Sequence, residues 1–178
     1  MSSGAMPAFD AVILAGGRSS RLGGEPKAGL VIGEEPLLVR ALRASQGAAR
    51  TAVAGPSSLR GLLAGTDFSG LIVREDPPFS GPAAAVGTAL TALGELAAGA
   101  GDSRSPWTLV LACDMPQADQ AVPALLAAAR EDPSRSVLAV DPGGKTQPLA
   151  ALYHGGSGCS RGGTRWRARQ CFNVQHAC

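Results

Sequence analysis

The sequence predicts an α/β fold of three layers, in which a mostly parallel sheet carries helices on both faces. Short apolar runs of strand length alternate along the chain with amphipathic or alanine-rich stretches of helix length, as in parallel sheets covered by crossover helices. The chain is 45% hydrophobic but only 4% aromatic. This composition indicates a core of Ala, Val and Leu, which suits helices packed closely on a sheet. Its 178 residues are enough for one domain with a real core.

The predicted strands are apolar runs that end at glycine, proline or polar residues. They are Ala11–Leu14, Thr51–Ala54, Leu71–Val73, Trp107–Ala112, Ser136–Val140 and Leu149–Tyr153. Residues 28–32 are also predicted to be extended. The helices are predicted where an apolar face or an alanine-rich run follows a start signal such as Pro36, Ser57 or Ser80. They cover 36–42, 57–63, 83–98 and a segment that includes 123–130.

Charge and hydropathy exclude several classes of protein. Residues 1–153 carry 12 Lys and Arg against 14 Asp and Glu, a net charge of −2, which is not the basic balance of a nucleic-acid binder. Residues 1–10 have neither a basic region nor a long apolar core, so they do not predict a signal peptide. The longest uncharged run, residues 77–94, is a poor membrane span. We therefore expect a soluble cytoplasmic protein that binds neither nucleic acid nor membrane.

Residues 154–178 differ from this body. They are rich in Gly, Arg and Cys and show no helical or strand period, so we expect an atypical, poorly ordered tail after a domain formed by residues 1–153. The tail contains candidate zinc ligands, but their spacing matches no common module and favours an unstructured end. They are His154, Cys159, Cys171, His176 and Cys178. A change of reading frame or a truncation near Tyr153 is one hypothesis for the shift in composition.

A glycine-rich loop, residues 16–27, follows the first predicted strand. It carries Arg18, Arg21 and Lys27, and backbone amides with positive charge at the end of a strand can hold a polyphosphate. The spacing is neither that of the P-loop nor that of the Gly-x-Gly-x-x-Gly fingerprint. A solvated surface turn is the alternative. Lys27 is one of only two lysines beside fourteen arginines, which argues against generic surface charge.

Two aspartates come shortly after predicted strands. At the carboxyl edge of an α/β sheet such a residue commonly contacts a ligand or a metal, and its oxygens suit Mg²⁺ shared with substrate phosphates. Asp114 follows the strand at 107–112, and Asp76 follows the strand at 71–73. The alternatives are a helix N-cap for Asp114 and a turn residue before Pro77 for Asp76.

The body contains no histidine, since His154 and His176 both lie in the tail. This argues against a histidine general base or a Ser-His-Asp triad in the body. A reaction in which a phosphate oxygen is the nucleophile needs no such base, because that oxygen is already anionic at neutral pH. Such a reaction requires positioning and charge neutralisation.

Four motifs in order, between about residues 10 and 153, resemble those of the molybdenum cofactor guanylyltransferase family of nucleotidyltransferases. They are Leu14–Lys27, Arg74–Asp76 with Ser80–Pro82, Leu109–Pro116, and Thr146–Tyr153. The resemblance implies a Rossmann-like nucleotidyltransferase fold for residues 1–153. It also implies transfer of GMP from GTP to the phosphate of molybdopterin, release of pyrophosphate, dependence on Mg²⁺ and transient contact with proteins that mature molybdoenzymes.

The resemblance assigns roles residue by residue. Lys27 and Arg21 would hold the triphosphate and neutralise charge in the transition state, and together with Asp114 they form the expected catalytic set. Asp114 is also the expected metal ligand. The expected nucleotide-binding residues are Leu14, Ala15, Gly16, Gly17, Lys27, Asp76 and Asp114. Gln147 and Pro148 match a segment that lies near the acceptor site in relatives.

The chain departs from the family pattern at two positions. Pro26 stands where many relatives have Asp, and Ala54 or Gly55 stands where they often have Asn. Two alternatives therefore stay open. One is a cytidylyl- or other nucleotidyltransferase acting on molybdopterin or a sugar phosphate, and the other is an impaired or non-enzymatic relative that binds nucleotide.

Overall fold

The computed structural model describes residues 7–16, 27–33, 35–115, 117–155 and 172–174. Its strands are β1 Phe9–Leu14, β2 Val31–Ile32, β3 Glu35–Pro36, β4 Thr51–Ala54, β5 Leu71–Val73, β6 Trp107–Ala112, β7 Val137–Val140, β8 Thr146–His154 and β9 Phe172–Val174. Its α-helices are α1 Leu37–Ala44, α2 Leu59–Leu63, α3 Pro82–Gly99 and α4 Ala118–Glu131.

Within the described residues, the main sheet has seven strands in the order β5-β4-β1-β6-β8-β7-β9. Strands β5, β4, β1 and β6 are parallel to one another. Strand β8 runs antiparallel to both of its neighbours, β6 and β7, while β9 is parallel to β7. The predicted α/β class with a mostly parallel sheet is therefore confirmed.

Helices cover both faces of the sheet, which explains the uninterrupted apolar runs of its central strands. All six residues of β1 are buried. Ile13 belongs to a core cluster that includes Leu38 of α1 and Leu125 of α4. Val12 belongs to a second cluster, with Leu93 of α3. Because successive side chains of a strand point to opposite faces, the part of a strand that is covered by helices on both faces is apolar on both sides. In β1 this part is Ala11–Leu14.

One local prediction differs from the structure. Residues 28–32 were expected to be extended, but Lys27–Gly29 form a 3-10 helix and only Val31–Ile32 are paired as a strand, with Glu35–Pro36. The turn allows Ala28 to be fully buried, a placement that local propensity does not encode. The predicted helical segment 123–130 is confirmed, since it lies within α4, Ala118–Glu131. Pro123, in the interior of that helix, faces solvent. No described helix is both long and apolar enough to cross a bilayer.

A buried carboxylate ties elements together at the amino-terminal edge of the sheet. Asp10 is fully buried and accepts hydrogen bonds from the hydroxyl and the backbone N–H of Ser105, at 2.9 and 3.3 Å. Arg50 lies 3.7 Å from the same carboxylate and 2.6 Å from Asp102. These contacts join β1 to the segments that lead into β4 and β6, far from the carboxyl edge.

Only part of the predicted tail lies within the described residues. His154 ends β8, and its ring packs against Trp107 with 4.7 Å between ring centroids. Phe172–Val174 form β9 beside β7. Residues 156–171 and 175–178 are outside the described part of the chain, so the expected domain boundary and the expected poor order of the tail stay predictions.

Candidate active site

Four parallel strands end level with one another at the carboxyl edge of the sheet. Leu14, the last residue of β1, is aligned with Ala54 of β4 on one side and with Ala112 of β6 on the other. Ala54 is in turn aligned with Val73 of β5. The segments that follow these strands therefore leave the sheet in one row. In open α/β sheets such an edge is where ligands bind.

Backbone hydrogen bonds extend the ladder by one residue and hold the start of each segment. The Ala15 N–H donates to the Ala54 carbonyl at 2.9 Å, and the Gly55 N–H donates to Val73 at 2.8 Å. The Cys113 N–H donates to Leu14 at 3.0 Å. The polypeptide becomes irregular only after these residues.

Glycine lets two of these segments approach each other closely. A β-carbon added to Gly55 would lie 2.6 Å from Cδ1 of Leu59 and 3.2 Å from the carbonyl carbon of Ala15. At Gly16 an added β-carbon would contact Ala54 and Gly55 at 3.6 to 3.7 Å. Gly55 thus lets the backbone after β1 and the backbone after β4 lie close together, and a larger residue would have to displace Leu59 and press on Ala15.

The two predicted site aspartates lie at opposite ends of this row, and both are exposed. Asp76 follows β5 and Asp114 follows β6, which are separated by β4 and β1. With about 4.8 Å between neighbouring strands, the two segments are about 14 Å apart. The aspartates therefore cannot share one small ligand, but they could contact the two ends of an elongated one.

The structure does not support the alternative that Asp114 caps the following helix. Helix α4 starts at Ala118, and the N-cap position is occupied by Gln117. Asp114 is placed in the turn between β6 and that cap. Asp76 lies in a bend directly before Pro77, as the turn alternative expects.

The basic residues of the glycine loop are only partly described. Gly17, Arg18, Arg21 and Pro26 lie outside the described residues. Lys27 begins the 3-10 helix, and the next residue, Ala28, is fully buried in the core cluster that also contains Ala15 and Cys113. The core thus anchors the backbone immediately after Lys27.

The loop between β5 and α3 holds residues that the sequence analysis did not assign. Arg74 is exposed, and its Cζ lies 5.6 Å from the centroid of the Phe79 ring. The Phe79 N–H donates to Oε1 of Glu75 at 3.1 Å. The only hint of this contact in the sequence was an aromatic residue among Pro, Ser and Gly, just after a predicted strand.

The β7–β8 hairpin reaches the same edge, because β7 runs antiparallel to β8 and β8 antiparallel to β6. Asp141 organises it. One carboxylate oxygen accepts from the N–H groups of Gly143 and Lys145 at 2.9 and 3.0 Å. The other accepts from Nε2 of Gln147 at 2.8 Å. Gln147, which the family resemblance places near the acceptor site, is thus held in a defined orientation. Asp141, which holds it, was not among the predicted site residues.

The oxygen donors at this edge suit a divalent ion that takes some of its ligands from the protein and the others from a substrate. Among the described residues, no cluster of three or more His, Cys, Asp or Glu could hold a metal ion by itself. Mg²⁺ is commonly bound by one or two carboxylates, with water and substrate phosphates completing its coordination. The exposed carboxylate of Asp114 fits that mode.

A further open cleft has a volume of about 430 Å³. Its lining residues come from the β2–β3 hairpin and from α1, and they are Ile32, Glu35, Arg40 and Arg43. Glu35 and Arg43 pair with each other at 3.1 Å. None of these described lining residues is a predicted site residue.

Comparison with solved structures places this architecture among known proteins. Rv0371c from Mycobacterium tuberculosis H37Rv is 19% identical and superposes with a TM-score of 0.62, over 84% of this chain and 72% of that one. Another structure of that protein is a complex with manganese, at 16% identity and a TM-score of 0.57, over 83% of this chain and 71% of that one. Molybdopterin-guanine dinucleotide biosynthesis protein A from Archaeoglobus fulgidus is 17% identical, with a TM-score of 0.54 over 82% of this chain and 67% of that one.

At these identities the likeness establishes the fold. No sequence among the curated proteins matches the chain significantly. A family profile that describes the MobA-like NTP transferase domain matches residues 11–168, which include every strand end of the row described above. The chain belongs to this family of nucleotidyltransferases, the MobA-like NTP transferase domain.

Proposed function

We propose that this nucleotidyltransferase moves GMP from GTP to the phosphate of molybdopterin and releases pyrophosphate, with Mg²⁺ as its metal. The reaction would take place in the cytoplasm, with transient contact to proteins that mature molybdoenzymes. The observation that carries the proposal is the level row of strand ends, with Asp76 and Asp114 on either side of Ala15 and Gly16.

This row suits an elongated nucleotide. The backbone of Leu14, Ala15 and Gly16 would face the nucleoside, and Asp76 would lie on the same side. Asp114, on the β6 side, would lie beside the triphosphate. Lys27, Arg21 and Gly17 complete the proposed phosphate site through positive charge and a backbone amide.

The chemistry is an in-line displacement at phosphorus. An oxygen of the acceptor phosphate forms a bond to the α-phosphorus of GTP, and the bond from that phosphorus to the bridging oxygen of the β-phosphate breaks. The electron pair of the broken bond leaves with pyrophosphate. The phosphate nucleophile is already anionic, so the proposed residues need to hold the two phosphates in line and balance their charge.

Asp114 is the residue proposed to hold Mg²⁺. When bound, the ion would neutralise negative charge on the triphosphate. The related mycobacterial structure that contains manganese supports a divalent ion in this fold.

The β7–β8 hairpin supports the position of the acceptor. Gln147 lies on the far side of β6 from the nucleoside residues, and its amide is oriented by Asp141 at 2.8 Å. Lys145, exposed in the same hairpin, adds a positive charge there. The name of the Archaeoglobus relative, a molybdopterin-guanine dinucleotide biosynthesis protein, supports molybdopterin as the acceptor and guanine as the base.

Base selection is tested by thermal unfolding with GTP, CTP, UTP or ATP, each with Mg²⁺. A ligand that binds only the folded protein stabilises it by about 2.7 kcal/mol at a concentration of 100 Kd. We expect GTP to raise the melting temperature most. A larger shift with CTP would support the cytidylyl alternative, and no shift with any nucleotide would contradict the proposal.

Turnover is tested by pyrophosphate release from GTP in the presence of molybdopterin. Lys27→Ala should reduce this rate by orders of magnitude at unchanged melting temperature. Arg104→Ala is the matched control, since Arg104 is exposed and precedes β6 at the opposite edge. A protein that binds GTP but releases no pyrophosphate with any phosphate acceptor would favour the non-enzymatic alternative.

A further inference from the structure

We infer that Phe79, with Arg74 beside its ring, is a stacking platform for the base of the bound nucleotide. This inference rests on the proposed function, because it requires a nucleotide at the carboxyl edge. It adds a residue and a type of contact that the sequence motifs do not assign.

The exposure of Phe79 is the first observation. Its side chain is large and apolar, yet the residue remains 52% exposed. The Arg74 guanidinium lies 5.6 Å from the ring centroid, within the range of a cation–π contact. Aromatic and arginine side chains presented together at a ligand edge are the groups on which nucleobases stack.

The backbone of Phe79 is the second observation. Its φ is +67°, a left-handed conformation that is unfavourable for a bulky residue. The surrounding loop maintains it: the Phe79 N–H is bonded to Glu75, and the Ser80 hydroxyl donates to the Pro77 carbonyl. Core packing does not require this conformation, since the ring is half exposed. Strained residues held by their surroundings are frequent at ligand sites.

The third observation is where the loop lies. It begins after β5 and ends at the first turn of α3, whose Ala85 and Val86 belong to the same buried cluster as Leu14 and Ala54. The loop therefore runs along the carboxyl edge between β5 and β1. Asp114 is about three strand spacings, or about 14 Å, from the start of this loop. With phosphates near Asp114, the base is the part of the nucleotide that would reach Phe79.

The chemistry also predicts what Phe79 should not do. Every nucleobase has a π-face, so stacking adds affinity with little choice among bases. Phe79 should strengthen binding of both GTP and CTP, with only a modest preference for the larger purine, leaving most of the selection to hydrogen bonds elsewhere. The pterin of the acceptor is also aromatic, but Gln147 and its hairpin lie on the other side of β6.

The test compares Phe79→Ala with the wild-type protein in calorimetric binding of GTP and of inorganic tripolyphosphate, which has no base. Loss of one base stack weakens binding by roughly five- to one-hundred-fold. We expect that loss for GTP and no change for tripolyphosphate. Leu96→Ala is the matched control, because Leu96 is 43% exposed at the other end of α3; it should change neither affinity.

A second variant keeps the ring. Phe79→Trp should retain GTP affinity, and its added fluorescence should change on titration with GTP but not with tripolyphosphate, relative to the wild-type protein. Phe79→Tyr should also retain affinity. These variants show whether a planar ring at this position is what matters.

Several outcomes would overturn the inference. Equal loss of GTP and tripolyphosphate affinity in Phe79→Ala would indicate a disturbed loop rather than a lost stack. Unchanged GTP affinity would remove Phe79 from the site while leaving the proposed function intact. Altered affinity for molybdopterin alone would assign the ring to the acceptor. Failure of the wild-type protein to bind any nucleotide would instead contradict the proposed function itself.

Discussion

Leu14 and Ala112 are aligned partners in the parallel pair of β1 and β6, and the Leu14 carbonyl accepts a hydrogen bond from the residue after Ala112 at 3.0 Å. The glycine loop and the turn that carries Asp114 therefore start side by side. This single register brings together two motifs that are separated by nearly a hundred residues in the sequence.

If Asp114 holds Mg²⁺, its replacement should remove the Mg²⁺-dependent activity. Asp114→Asn should abolish Mg²⁺-dependent pyrophosphate release, because an amide is neutral and a poorer ligand for Mg²⁺. GTP affinity measured without metal should change much less. Asp119→Asn, an exposed acid in the first turn of α4, is the control and should retain activity. Full activity of Asp114→Asn would rule out the metal role.

The close approach at Gly55 predicts a coupled loss of stability and binding. In Gly55→Ala the new methyl group must displace Leu59 and press on the backbone of Ala15. Overpacking of this kind costs about 1–3 kcal/mol, and the shift of Ala15 should also weaken GTP binding. Both effects are measurable, by denaturant unfolding and by calorimetry.

Gly61→Ala is the matched control for that variant. Gly61 is exposed within α2, and an added β-carbon would meet nothing within 4 Å. Because Ala is the better helix former, this change should stabilise the protein by up to about 1 kcal/mol with GTP binding unchanged. Similar behaviour of the two variants would show that the contact between Gly55 and Ala15 is unimportant.

Because the Asp10 carboxylate is buried and hydrogen-bonded, we expect its replacement to lower the stability of the protein without disturbing the candidate active site. Asp10→Asn replaces one acceptor oxygen with a donor that faces Ser105, so we expect a loss on the order of 2–4 kcal/mol in denaturant unfolding. Activity of the folded variant should persist, because Asp10 lies at the opposite edge. Asp102→Asn should cost only about 0–1 kcal/mol, since the Asp102 side chain is 62% exposed.

The hydrogen bond between Asp141 and Gln147 predicts a selective effect on the acceptor. Gln147→Ala should raise KM for molybdopterin and leave KM for GTP unchanged, and Asp141→Ala should do the same because it releases the amide. Gln120→Ala on the exposed side of α4 is the control. An increase in the KM for GTP instead would indicate that the hairpin contacts the nucleotide rather than the acceptor, which would contradict the proposed arrangement.

The placement of two candidate site residues was predictable from the sequence. The positions of Asp76 and Asp114 after two strands are confirmed, whereas their roles stay predictions. The conformation of Phe79 and the bonds made by Asp141 were not predictable, because each depends on side chains and turns whose geometry has no periodic signature.

The sequence by itself determined which segments form the central strands and the general class of the fold. A strand segment buried between two helical layers is apolar on both sides, and continuous apolar runs of this kind occur within β1 and β6. Only the tertiary structure decided the strand order, the reversed direction of β8 and the level ends of four strands. These features depend on pairing between segments far apart in the chain, and hydrogen-bond register between backbones leaves no mark on the local pattern of residues.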